Sequence, residues 1–494
     1  MGKDIYRTRL KAPLNKDVLE FISCLKEDLW IAEEDIIGTE VHNIMLFEQD
    51  IISKNEIKKI LTSLENIKYK LLNNQLDLEE NYEDIHPFIE KCVIDQIGID
   101  IGGKIHTGRS RNDQISVDIR LKIRSELNFL SKILFIFSNV LLDLSKKTVT
   151  VFIPLYTHLQ RAQLGVFAHY LNNYVAQILR SLERVEEVYK RNNRNPLGAC
   201  AVGGTSININ RKRTAELLGF DEVIENSLDA ISSKDYIYET LMCLSLISIQ
   251  FSRISEDLLI WSSKEFNFVE LDDQYCSVSS VMPQKKNPDT LELIRSKSSK
   301  IISNLFTASM IVKGIPSGYF KDFQDLKMLL KNSFELLFSI TKMFIGIFST
   351  IKINRNTILN NINESFILTL DLAELLVQKY KIPFRQSHKI VAKLVKGSKN
   401  PQDLLNREKI EKEILKVEKK KILIAENFVE SLKDLNFCLE NRISQGSPSK
   451  KEVERVINSL NENKNKLYDF YLKRVKKVDN ARYYRENLIK KLIS

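Results

Sequence analysis

Between residues 236 and 261, apolar side chains return at alternating steps of three and four: Leu244, Ile247, Phe251, Ile254, Leu258 and Trp261. That spacing holds them on one face of an α-helix, and a helix this long needs equally long partners to bury the stripe. The stretch 164–189 repeats the pattern through Leu164, Phe167, Leu171, Tyr174, Ile178, Leu182, Val185 and Tyr189, and 130–144 does so through Leu130, Leu134, Phe137, Leu141 and Leu144. A further helix is predicted to begin at Pro288, with Asn287 as N-cap and Asp289 in its first turn, and a fifth apolar segment covers 328–350. The 494 residues include only 16 Gly and 10 Pro, which favours long uninterrupted elements. The expectation is a mainly α chain whose long helices pack on each other and on copies from other subunits.

A chain of 494 residues exceeds what one core usually organises. Residues 1–108 read as a smaller helical region, 109–360 as the long-helix bundle, and 361–494 as a third helical region. The last contains an amphipathic stretch at 365–380, a break at Ile382-Pro383, and a Lys/Glu-rich tail interrupted by Gly446-Ser447-Pro448.

The net charge of +10 would point to nucleic acid if it were gathered into one patch. Instead Lys and Glu alternate through segments such as 407–421, as on a solvated helix face, and no nucleic-acid partner is expected. Cys24, Cys92, Cys200, Cys243, Cys276 and Cys438 are scattered without a Cys-x-x-Cys pair and read as reduced thiols of a cytoplasmic protein. The six histidines form no His-x-His or His-x-x-x-His pair, so no metal site is expected. The N-terminus lacks the apolar core of a signal peptide. The most apolar stretch, 129–144, is interrupted by Lys132, Asn139 and Asp143, so no membrane span is expected.

Four polar clusters interrupt this helical text. The first, His106-Thr107-Gly108-Arg109-Ser110-Arg111-Asn112-Asp113-Gln114, carries two guanidinium groups, and Arg suits bidentate carboxylate recognition. The second, 154–163, contains His158, whose unperturbed pKa of roughly 6.5 suits proton transfer near neutrality. The third runs from Ser277 to Asp289 and sets hydroxyls, two ammonium groups and an amide before the positive end of a helix, the composition of an anion-handling loop. The fourth is Tyr319-Phe320-Lys321-Asp322-Phe323-Gln324-Asp325-Leu326-Lys327. Taken singly, the first and fourth pass for salt-bridged helix starts and His158 for a structural histidine.

If the helix after Asn112 runs to about 146 and the helix after His158 to about 190, the two are antiparallel neighbours on the order of 50 Å long. Their clusters then lie at opposite ends of one bundle, and only symmetric copies could bring them together.

The third cluster resembles the signature of the fumarase/aspartase superfamily. Its Gln284-Lys285-Lys286-Asn287-Pro288-Asp289 run, with Gly108-Arg109-Ser110-Arg111-Asn112-Asp113, is similar to the argininosuccinate lyase family. Thr157-His158-Leu159-Gln160, Glu83-Asp84-Ile85-His86 and Ile382-Pro383-Phe384-Arg385 extend the likeness, which is dense from 83 to 391. The resemblance implies a three-region fold around a central helix bundle, a homotetramer with sites shared between subunits, no cofactor, and β-elimination of argininosuccinate to arginine and fumarate in arginine biosynthesis. It assigns catalysis to Ser279, His158, Lys285 and Glu292, with either Ser279 or His158 as the base and Glu292 paired with the histidine. Substrate contacts fall on Arg111, Asn112, Thr157, Asn287, Tyr319, Gln324 and Lys327, and on Cys24 or its neighbour Ser23. The sequence departs from the family at Val278 and Leu155, where Gly is common, at Leu164, where Pro is common, and at Phe320, Lys321, Phe323, Asp325 and Leu326. An adenylosuccinate lyase-like enzyme and a non-catalytic relative of the same fold are the alternatives.

Overall fold

The computed structural model describes every residue except 1–8, 11, 13 and 79–81. The first eight, on which the reading of the N-terminus rests, thus lie outside the described residues. Capping chemistry sets where the helices start. In the N-terminal part α1 (Ala32–Glu48), α2 (Lys54–Leu72) and α3 (Ile85–Ile97) follow one another; a Ser53/Glu56 capping box opens α2, and the Asp84 carboxylate accepts the His86 N–H to open α3. A second box, Ser110 with Asp113, opens the 37-residue α4 (Arg111–Lys147), whose stripe from Leu130 to Leu141 is buried.

The helix expected from His158 onward is displaced. An antiparallel hairpin comes first, β1 (Phe152–Thr157) with β2 (Gln160–Val166), and α5 runs from Phe167 to Asn192. Buried Leu164 lies in β2, where it happens to continue the helical spacing and hides the change of period. Three more long helices complete the bundle: α6 (Asp235–Ser262), α7 (Asp289–Val312) and α8 (Leu326–Thr350). The start of α7 also differs from expectation. Asn287 pairs in a two-residue ladder, β3 (Ser277–Val278) with β4 (Lys286–Asn287), and Pro288, at φ −83° and ψ 51°, stands just outside the helix. A residue before proline favours extended backbone, which suits the ladder.

Side-chain bonds fix the direction of each helix. Ser145 Oγ reaches Asn172 at one end of the α4–α5 pair, and Arg120 reaches the Asn192 carbonyl at the other. Ser181 with Gln250 and Tyr174 with Asp257 set α5 against α6, Ser255 with the Leu291 carbonyl sets α6 against α7, and Asn304 with Ser333 sets α7 against α8. So α4, α6 and α8 all start at one end, while α5 and α7 start at the other. The 28-residue α6 separates those ends by about 40 Å. Between them Phe137, Phe251 and Phe344 pack with ring centroids 5.3 to 5.8 Å apart. The segments Arg111–Lys147 and Lys321–Thr350 are long and apolar enough to cross a membrane, and both are interior members of this bundle.

Beyond the bundle, α9 (Thr369–Tyr380) and α10 (Phe384–Gly397) flank the break at Ile382-Pro383. The Lys/Glu-rich tail ends in a continuous 44-residue helix, α11 (Lys450–Ile493), which periodicity had not shown. Its first turns place Val453, Ile457 and Leu460 in the bundle core, and its last place Ile489 and Leu492 among the apolar residues of α1–α3. Midway, buried Arg474 bonds Asn128, Ser131 and Glu186.

Candidate active site

A cavity of about 280 Å³ opens between the N-terminal part and the bundle end where α4, α6 and α8 start. Buried Asp28 organises its floor. One carboxylate oxygen pairs with the Lys327 ammonium, and the other accepts from the Ile85 N–H at 3.2 Å and from Cys24 Sγ at 3.2 Å. Lys327 Nζ also lies 3.3 Å from Cys24 Sγ. Burial alone would favour neutral Lys327, but Asp28 outweighs it and holds the ammonium pKa above its ordinary value. Burial pushes the Cys24 thiol up to about 12 against the opposing charge of Lys327. Of the two alternatives at this position, Cys24 lines the cavity, whereas Ser23 donates to the Tyr82 carbonyl at 2.9 Å.

The cavity wall is built by the start of α4. Arg111 Nη1 is 3.0 Å from Asp84 Oδ2 and 3.6 Å from Glu83 Oε2, and Lys321 approaches Glu83 at 3.6 Å. Asn112 donates to the Ala201 carbonyl at 3.0 Å. Asp113 accepts the Gly198 and Cys200 N–H groups at 2.9 Å, knitting the helix start to the 198–200 loop. Gln324 donates to the Ile22 carbonyl at 3.3 Å, and burial pushes the Tyr319 hydroxyl up to about 12. One cavity therefore gathers Cys24, Arg111, Asn112, Tyr319, Gln324 and Lys327. It also contains Asp28, Lys234 and Tyr236, which sequence reasoning missed, and Glu83 and Asp84, seen there only as part of a family-like run. Burial pulls the Lys234 ammonium down to about 7; it donates to the Ile231 and Ser233 carbonyls and stands 4.7 Å above the Phe323 ring.

Thr157, His158, Ser279, Lys285, Asn287 and Glu292 lie at the opposite end. Thr157 and His158 are exposed at the hairpin tip, where His158 and Leu159 both take left-handed backbone, at φ 55° and 56°. Two adjacent non-glycine residues in that region cost on the order of 1–3 kcal/mol each, strain of the kind found at functional sites. The Tyr156 and Phe266 rings, 6.0 Å apart, hold the hairpin beside the end of α6. In the 277–289 segment, Ser279 Oγ accepts the Val281 N–H at 3.3 Å and the Met282 N–H at 3.0 Å. Lys286 anchors the segment to the Leu271 carbonyl and Asp273, each at 2.6 Å, and to Glu270 at 3.3 Å. Lys285 is exposed, Asn287 half-buried, and Glu292 exposed in the first turns of α7.

Behind the cavity Asp35, His86 and Asp118 bring ligand-type atoms within 4.8 Å of one another. His86 and Asp35 form the one close pair in this set. His86 Nδ1 is 2.9 Å from Asp35 Oδ1, which also accepts from Gln114 at 2.5 Å, and Arg109 adds positive charge. Burial pushes Asp35 up, but His86 outweighs that and lowers it; burial and then Asp35 push Asp118 well above the carboxylate range. The three groups are buried, with His86 paired to Asp35 and neither Asp118 oxygen hydrogen-bonded among the described residues.

The same architecture occurs in solved lyases. The crystal structure of EDDS lyase in complex with formate matches with a TM-score of 0.85 over 96% of this chain and 94% of that one, at 24% identity. Recombinant class II fumarase from Schistosoma mansoni matches with a TM-score of 0.69 over 82% and 90%, at 18% identity. The fold is thus the mainly helical fumarase/aspartase type that the sequence resemblance implied. A family model described as lyase matches residues 10–303, and one described as argininosuccinate lyase C-terminal matches 366–432. The argininosuccinate lyase of Nitrosopumilus maritimus is 41% identical over 458 residues, spanning 92% of this chain and 93% of that one. The chain belongs to the argininosuccinate lyase family.

Proposed function

We propose that this protein is a carbon–nitrogen lyase that splits argininosuccinate into arginine and fumarate in cytoplasmic arginine biosynthesis. The observation that carries the substrate is the 41% identity over nearly the whole length of an argininosuccinate lyase. The reaction removes a weakly acidic proton beside a carboxylate and then expels nitrogen. The first step builds up a dianionic aci-carboxylate, so preorganised positive charge and donors lower its barrier. Lys285 and Asn287, before the positive end of α7, supply them. Arg111, Asn112 and Lys327 bind the remaining carboxylates, Glu83 and Asp84 face the guanidino end, and Cys24, Thr157, Tyr319 and Gln324 complete the contacts.

Ser279 is the base in this reading. A free hydroxyl is a poor base, but two backbone N–H groups already point at Ser279 Oγ and favour its alkoxide. His158, presented on a strained turn, donates its own proton to the leaving nitrogen, and Glu292 pairs with its imidazole. The separation of the two residue sets supports a homotetramer: a cavity at one bundle end receives Ser279 and His158 only from neighbouring copies.

Two assays test this. Fumarate absorbance should rise with argininosuccinate, not with adenylosuccinate, and should vanish in Ser279→Ala. Mixing Arg111→Ala and Ser279→Ala subunits after dissociation should restore activity that neither has alone; no recovery would place all catalytic groups in one chain.

A further inference from the structure

The sequence alone spreads the net charge of +10 over the surface, but folding gathers most of it on one helix. From Lys464 to Lys491, α11 carries ten Lys and Arg against three Asp and Glu. Its buried Arg474, Arg485 and Ile489 face the bundle and the N-terminal part. On the opposite face stand Lys466, Phe470, Lys473, Lys477, Tyr484 and Lys491. Asn480 and Asn487 fill the intervals, so the positions recur at alternating steps of four and three. All eight are exposed, in a strip about 37 Å long. Asp469, Asp479 and Glu486 fall outside it. Lys477 pairs with Asp221, whereas Lys466, Lys473 and Lys491 have no acidic partner among the described residues. Beyond the strip, burial and then Lys146 of α4 hold the Lys464 pKa below its ordinary value, so the positive field continues onto the bundle. Like charges set in a row repel, and a polyanion laid along them relieves that repulsion.

We propose that this strip binds single-stranded nucleic acid along the helix. The lysines neutralise phosphates, and the exposed Phe470 and Tyr484 rings stack on unpaired bases. Lys473 Nζ stands 5.8 Å from the Phe470 ring centroid, which puts a phosphate contact beside a stacking surface. Arg213 braces the second ring: its guanidinium carbon lies 5.5 Å from the Tyr484 centroid, and it donates to the Tyr484 hydroxyl at 3.2 Å. The amides of Asn480 and Asn487 both donate and accept, as base edges require. Two other polyanions fit less well. A membrane surface takes up an apolar helix face, and this strip has two aromatic rings but no aliphatic side chain. Duplex DNA is read by a helix free to enter the major groove, whereas α11 lies along the bundle, tied by Arg474 to α4 and α5. None of the strip residues lines the cavity, so this binding is separate from the lyase reaction.

The test titrates the full-length protein into fluorescently labelled oligouridylate and oligothymidylate of about 20 nucleotides and into a duplex of the same length, read by anisotropy at several salt concentrations. A parallel arm sediments the protein with vesicles rich in phosphatidylserine. Single strands should bind at least about tenfold tighter than the duplex, because only they offer free bases for stacking. The tighter of the two identifies the sugar that the site serves. The logarithm of the binding constant should fall against that of salt with a slope of about −3, as four neutralised phosphates require. Lys466→Gln, Lys473→Gln and Lys491→Gln combined should reduce the slope to about −1. Phe470→Ala should weaken single-strand binding about tenfold and leave the slope unchanged. Both variants should keep the wild-type circular dichroism spectrum. No binding of either single strand up to about 100 μM protein, a duplex bound as tightly, or an unchanged slope in the triple variant would each overturn the proposal. So would sedimentation with the vesicles while both oligonucleotides stay free.

Discussion

Arg111 Nη1 lies 3.0 Å from Asp84 Oδ2, so the first residue of α4 is tied to the residue that caps α3. Asp84→Asn keeps a capping side chain but removes the charge that aims Arg111. KM for argininosuccinate should rise about tenfold, the equivalent of about 1.4 kcal/mol, while the urea unfolding midpoint stays in place. A shifted midpoint with unchanged KM would reduce Asp84 to a helix cap.

Ser279 Oγ faces two backbone donors that remain when the side chain is truncated. Ser279→Ala should therefore bind substrate nearly as before and lose about 10²- to 10⁴-fold in kcat, the usual contribution of a positioned base. Single-turnover kinetics with saturating argininosuccinate separates the two effects. A residual rate within a few-fold of wild type would pass the role to His158.

Val278 is 77% exposed and pairs with Lys286 in a ladder only two residues long. Glycine at this position weakens extended structure by about 0.5–1 kcal/mol, so Val278→Gly should open the segment more often. Hydrogen exchange across 277–287 should quicken, and kcat should change by about two- to fivefold. Faster exchange at constant kcat would show that movement of this segment does not set turnover.

His42 is fully buried, its Nε2 donating to the Thr107 carbonyl at 2.8 Å. Burial, helped by Arg109, pulls its pKa from 6.5 down to about 3. The unfolded chain binds the proton first, so the folded state loses stability as pH falls from 6.5 toward 3, by about 1.4 kcal/mol per pH unit. Denaturant titrations of wild type and His42→Gln at several pH values isolate this effect from the buried carboxylates. The wild type should weaken relative to the variant as pH falls, and parallel curves would contradict the assignment.

The bundle was legible because its helices carry stripes long enough to fix a period, as Leu244 to Trp261 do. The hairpin escaped because Leu164 keeps the helical step by coincidence and the His158-Leu159 turn lacks the Gly or Asn that normally marks left-handed backbone. The helix start at Asp289 was misplaced by a residue or so because Asn287-Pro288 satisfies the local rules for a cap, while pairing across the 277–287 segment, a nonlocal contact, decides the outcome. Half the cavity was readable from runs such as Ser110-Arg111-Asn112. Asp28, Lys234 and Tyr236 stand alone in helical text, and only folding brings them together.

The 44-residue α11 carries a consequence for folding. Ile489 and Leu492 pack in one core with Ile57, Ile60, Ile89 and Leu218, residues far apart in the sequence. Contacts of such long separation close slowly, because loop entropy is lost before they form. The N-terminal half of the cavity, hung on Cys24, Asp28 and Asp84, shares that dependence on distant partners.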